Sequence, residues 1–121
     1  MRATNSVATR RRRKKVLKRA SGYWGHRHIG YKVARQSVFK ADSYAYRDRK
    51  NRKRDFRRLW ITRLSAAFKQ FDLTYSKGIY YLKKANISMN RKALSELAIN
   101  NPEVFSKIIN EQVKPLIPEG T

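Results

Sequence analysis

The side chains able to do chemistry in this 121-residue chain fall into three sets. His26 and His28 could hold a metal. Asp48 and Asp55, one heptad apart in a stretch without helix breakers, could hold a metal pair. Two dense runs of Arg and Lys could grip a polyanion. The first two sets fail on their surroundings. Histidines at i, i+2 have no further ligands nearby, whereas a structural zinc site needs four. Carboxylates set among so many cations serve more simply as intrahelical partners, as from Asp48 to Arg52 at i+4, than as a two-metal hydrolytic centre. With no cysteine and no convincing Ser/His/Asp set, the expectation is a non-enzyme without metal, cofactor or small-molecule substrate.

The third set dominates. Thirty Lys and Arg against eight Asp and Glu leave a formal charge of +22. Such a charge repels itself in a compact monomer and calls for a polyanion, nucleic acid first and an anionic membrane second. The first run is Arg10, Arg11, Arg12, Arg13, Lys14 and Lys15, continued by Lys18 and Arg19. The second holds Arg47, Arg49, Lys50, Arg52, Lys53 and Arg54, then Arg57 and Arg58. Between them lie Arg27, His28, Lys32 and Arg35. Arg supplies forked donors to phosphate oxygens and a flat face that stacks on bases. The interleaved aromatics fit the same partner: Tyr23, Trp24 and Tyr31, with Tyr44 and Tyr46, could stack on unpaired bases at about 1 to 3 kcal/mol each. The competing reading is that they anchor the chain's own bend. Tyr23 and Trp24 are the stronger contact candidates, because the glycines around them leave little else to pack on.

The elements that must carry these residues are helical. Residues 7–20 contain no breaker, but six consecutive cations allow a helix only where phosphates screen them. Gly22, Gly25 and Gly30 then mark a bend, since glycine permits positive φ and close backbone approach. From Val33 to Phe71 there is neither Gly nor Pro, which predicts one long helix or two with a slight kink. Within it, the cations from Arg47 to Arg54 cover more than two turns and point all round the axis, so no single solvated face can hold them. From Phe56 on, an apolar stripe of Phe56, Leu59, Trp60, Leu64, Ala67, Phe68 and Phe71 reads as core. Short helices follow. Thr74 or Ser76 caps one carrying Ile79, Tyr80 and Leu82 to about Ala85, and Asn90 caps one carrying Leu94, Leu97 and Ala98. Asn101, Pro102 and Glu103 make a favourable start for a third, with Val104, Phe105, Ile108, Ile109 and Val113 inward until Pro115 and Pro118 end it. The fold class is therefore all-α, with only a weak strand alternation at Ile79–Leu82.

Charge divides the chain. Residues 1–58 hold 21 Lys and Arg against three acids, and residues 59–121 hold nine against five. The first part is expected to be a basic RNA-binding extension of helix, Gly/aromatic bend and long helix. Its few aliphatics cannot offset ordering entropy, so alone in water it should be largely disordered. Residues 59–114 can form a small all-α domain, and 115–121 a tail. No apolar run approaches the roughly 18 residues that suggest a membrane helix, and the first residues lack the apolar segment of a signal peptide, so a soluble, cytosolic chain is expected. All-round charge suits burial between several RNA segments better than one DNA groove. A DNA-compacting architectural protein is the runner-up; a membrane-active peptide would need an amphipathic face that 44–55 lacks.

Several tracts carry a resemblance: SGYWG at 21–25, YAYRDRKNRKRDFRRLWITRLSAA at 44–67, YSK at 75–77, LKKA at 82–85 and RKALSELAI at 91–99. On these the chain resembles the bacterial large-subunit ribosomal protein L-twenty family along almost its whole length. The resemblance implies a long helical N-terminal extension threaded through large-subunit (23S) ribosomal RNA, with neighbouring ribosomal proteins as partners. It also implies a small helical C-terminal domain on the subunit surface, an early role in assembly and no catalysis. Some members of the family repress their own translation by binding messenger RNA through the C-terminal domain. The chain departs from the family pattern at its tip RATNSVATR, with Ser6 where Gly is common, at His26, His28 and Gly30, and at Phe68, Phe71 and Asp72. The tail VKPLIPEGT is peculiar to it.

Overall fold

The structure, a computed structural model, describes residues 4–119; the outermost parts of the expected extension and tail, 1–3 and 120–121, lie outside the described residues. Helix α1 spans Ser6–Arg19, a 3₁₀ turn covers Gly25–His28, and α2 runs unbroken over Tyr31–Lys69. Helices α3 (Tyr75–Lys84), α4 (Arg91–Asn100) and α5 (Pro102–Ile108) follow. The last continues through a π turn, Ile109–Val113, and a 3₁₀ turn, Lys114–Leu116. Among the described residues there is no strand, and Ile79–Leu82 is helical. The fold is all-α. The chain divides into two compact units between Asn51 and Arg52, within α2.

The first unit is a pair of helices joined by a tight bend. Gly22 and Gly25 adopt φ of 85° and 62°, the left-handed region that costs glycine nothing. Ala20, Ala34 and Val38 are its buried residues, with Val16, Leu17 and Tyr23 packed partly against them. Two of the three are alanines, so the cluster removes little apolar surface from water. Arg19 on α1 makes a bidentate pair with Asp42 on α2, one of its two bonds measuring 3.0 Å.

The second unit has a true core, formed by Leu64, Phe68, Leu73, Leu82, Leu94, Phe105, Ile109 and Val113. Two helices end in the same way. At the end of α2, Leu73 N donates to Phe68 O and Asp72 N to Lys69 O, with Asp72 at φ 59°. At the end of α3, Ile87 N donates to Leu82 O and Asn86 N to Lys83 O, with Asn86 at φ 58°. Both are Schellman closures with a left-handed residue just past the helix. Thr74 Oγ1 caps α3 by accepting from Lys77 N at 3.4 Å, and Asn90 Oδ1 caps α4 by accepting from Ala93 N at 2.8 Å. Arg91 Nε donates to Tyr75 Oη at 2.7 Å, tying the starts of α4 and α3 together.

Three expectations fail here. Phe56 and Leu59 are exposed, and Trp60 is only half-buried and outside the core cluster. The apolar stripe is present, but the core engages it only from Leu64 on. Val104 is exposed, while Phe105, Ile109 and Val113 are buried. Asn101 makes no side-chain cap. Its amide already closes α4 by donating to Leu97 O, and at ψ 67° it lacks the extended conformation that its Asn90 counterpart adopts at ψ 165°.

Candidate nucleic-acid interface

In α1 the cations from Arg10 to Lys15, with Lys18, are all exposed. A helix forms over them despite their mutual repulsion, and the last turn, with Lys18 and Arg19, suits the negative end of the dipole. Three of these cations are already engaged, Arg12 by donating to Thr9 Oγ1 at 3.5 Å. The Arg13 guanidinium lies 5.2 Å from the centre of the Tyr31 ring, and Arg19 holds Asp42. The Arg19 hydrogen bond holds the Asp42 carboxyl below the usual aspartate range, and Asp42 in turn raises Arg19. Arg19 thus links α1 to α2 as well as facing solvent.

The bend separates the aromatics. Trp24 is 91% exposed, with its indole in solvent. Tyr23, by contrast, packs partly against the Ala20 cluster, so the glycines leave it more to pack on than the sequence suggests. His28 Nδ1 lies 2.8 Å from Tyr23 O. A carbonyl only accepts, so Nδ1 carries the proton and donates. His28 therefore fixes the turn through one nitrogen and keeps the other for a partner. A Cβ at Gly30 would meet the His26 ring, but His26 is exposed and its ring can swing aside, so space alone does not demand glycine there. Arg27, Lys32 and Arg35 are exposed around this turn, and Tyr31 is half-buried.

Next to the bend lies a hollow of about 610 Å³ whose lining includes Tyr23, Trp24, Arg27, Lys40 and Tyr44. Lys40 was missed in the sequence, although its i, i+4 spacing to Tyr44 was the available signal. Along α2 the ring faces carry cations: Arg47 lies 4.6 Å and Lys40 5.7 Å from the Tyr44 centre, and Lys50 lies 4.5 Å from that of Tyr46. These tyrosines present a cation with a flat ring behind it, a combination suited to phosphate and base together.

Arg47, Arg49 and Lys50 in the first unit, and Arg52, Lys53, Arg54, Arg57 and Arg58 in the second, are all exposed. The carboxylates among them pair locally, but not as expected. Asp48 accepts from its neighbour Arg47 at 3.0 Å, which raises the Arg47 pKa, and Asp55 pairs with Arg58 three residues on at 3.8 Å. With cations on every side, the nearest one captures each carboxylate. Among the described residues no three His, Asp or Glu side chains converge as a metal site, and no helix is long and apolar enough to cross a membrane.

An all-α chain with arginines displayed around a helix, aromatics beside them and a separate small core defines a class: a polyanion-binding scaffold protein. The family can be stated more closely. The model of the family described as "Ribosomal protein L20" matches residues 2–108. The chain is 60% identical to the large ribosomal subunit protein bL20 of Mycoplasmopsis agalactiae over 109 residues, covering 90% of this chain and 94% of the relative. It is 53% identical to the protein of the same name from Salinibacter ruber, again over 109 residues, covering 90% and 95%. With that of Ureaplasma urealyticum it shares 50% over 120 residues, covering 94% and 100%. The chain belongs to the ribosomal protein L20 family.

Proposed function

We propose that this chain is a structural constituent of the large ribosomal subunit that binds 23S ribosomal RNA directly and promotes early assembly by charge neutralisation and scaffolding. It works in the cytoplasm, within the ribosome, beside neighbouring large-subunit proteins, and performs no catalysis. The observation that carries this reading is the display of exposed cations around α2 from Arg47 to Arg58, which one flat or grooved partner cannot cover. RNA segments approaching from several sides can. The RNA-facing extension then runs to Arg58, past the division between the units, and the small domain covers 59–114. Ordering of the extension is coupled to binding, because its small alanine-rich cluster cannot hold it alone.

The test is competition between 23S RNA and duplex DNA for the full chain across a salt series. RNA should win, and a protein making about 6 to 10 phosphate contacts should lose roughly 10³ to 10⁵ in affinity between 50 and 200 mM salt. Preference for duplex DNA would favour a DNA-compacting protein and sink the ribosomal reading.

A further inference from the structure

We propose that the aromatic pair of exposed Phe56 and half-buried Trp60 on the second unit, with the cations around it, takes one unpaired nucleotide of the RNA, its base against the rings and its phosphate among the cations. This rests on the ribosomal RNA reading above and adds a subsite that the charge pattern alone does not contain. Lys53, Phe56, Arg57 and Trp60 follow i, i+3, i+4 and i+7 spacing, so they share one face of α2. Such a stripe ordinarily packs inward. Here the core stops at Leu64, Phe56 remains 49% exposed, and neither ring belongs to the core cluster. Two large aromatics left side by side outside the core, one of them exposed, mark an interaction site more often than a packing accident.

Their surroundings indicate the occupant. The ring centres are 6.3 Å apart at an interplanar angle of 32°, which makes a shallow wedge. The hollow over them, about 540 Å³, is lined by Arg52, Lys53, Arg54 and Arg57 from α2 and Lys92 from α4. Every lining residue besides the two aromatics is a cation. The surface they present is mostly apolar, ring faces and the methylene stems of exposed cations, so an apolar protein segment could cover it but would leave the charged ends without a counter-ion, and a second copy of a chain at +22 would add to the repulsion. An unpaired nucleotide supplies both missing parts, a flat face for the rings and an anion for the rim. A base-paired duplex supplies the anion but keeps its base faces stacked away. Lys92 lies far from α2 in sequence, so only the folded second unit assembles the site.

The test uses the full chain carrying Trp24→Phe, which leaves Trp60 as the sole indole; all comparisons are made within that background. A short single-stranded oligoadenylate should quench Trp60 emission, whereas an abasic oligomer of equal charge should not. Phe56→Leu should weaken oligoadenylate binding about 5- to 150-fold, the equivalent of losing about 1 to 3 kcal/mol of base stacking, and leave duplex RNA binding unchanged. The quenching comparison needs no substitution in the hollow, so it stands even if Phe56→Leu perturbs folding. Unchanged emission, equal quenching by the abasic oligomer, or equal weakening of duplex binding overturns the proposal. So does a concentration-dependent emission shift without RNA, which would mean that a second copy occupies the hollow. Binding of 23S RNA by the same chain, and its weakening by Arg49→Glu with Lys50→Glu, reports on the ribosomal reading separately.

Discussion

The two ends of α2 are the same kind of helix held by different forces. Towards Tyr31 the helix buries Ala34 and Val38 and otherwise displays charge. Towards Lys69 it places Leu64 and Phe68 in a core of eight residues drawn from every later helix. Continuous backbone hydrogen bonding makes the ends look alike, yet one buries three residues, two of them alanines, and the other joins a core of eight, so far less apolar surface leaves water at the first. An unbroken helix is thus no sign of uniform stability. Its partner at each point decides that.

The strongest way to break the comparison is to remove one buried side chain from each end. Phe68→Ala should cost about 3 to 5 kcal/mol, and the lost ring would take its neighbour Phe105, centred 5.8 Å away, out of contact. At about 4 °C or more per kcal/mol for a domain this small, its thermal midpoint should fall by at least roughly 12 °C. Val38→Ala should leave that midpoint in the RNA-free chain unchanged. Equal shifts would mean that the basic end is folded on its own.

Volume added to the second unit should matter next. Gly78 sits inside α3, where glycine costs about 1 kcal/mol relative to alanine, so Gly78→Ala would ordinarily stabilise. Here a Cβ would lie 2.8 Å from the Phe68 ring, which is fully buried and cannot swing away. Overpacking of about 1 to 3 kcal/mol should exceed the helix gain, for a net loss of about 1 kcal/mol. Denaturant unfolding checks the sign, and Phe68→Leu in the Gly78→Ala background should recover part of the loss.

The smallest effect belongs to the basic end. Asp42 is held below its ordinary pKa by Arg19, so the pair's contribution is present above the ordinary aspartate range and is lost as pH falls through the lowered value. Both groups are exposed, which keeps the contribution small. Hydrogen exchange of α1 in the RNA-bound chain should quicken across that acid window, and Asp42→Asn should remove the dependence. An acid dependence that survives Asp42→Asn would show that another group holds the two helices.

Residues that act on near neighbours were legible. The glycine bend, the breaker-free run of α2, the Asn90 cap and the density of arginine all depend on a few consecutive positions. What failed was coverage. Periodicity gave Phe56 and Val104 an apolar face but could not say whether another helix reached it, and both are exposed. Asn101 looked like a cap until α4 claimed its backbone. The Arg19 to Asp42 pair spans 23 positions, and no spacing rule reaches that far.

The sequence by itself determined that this chain is helical, strongly basic at one end and devoid of cysteine chemistry, because composition, helix breakers and charge are local quantities. Tertiary structure decided where the core begins on α2, why a glycine stands against Phe68 within α3, and that Lys92 joins Phe56 and Trp60. Those depend on which surfaces meet, and the burial that fixes them is a sum over residues distant in the chain.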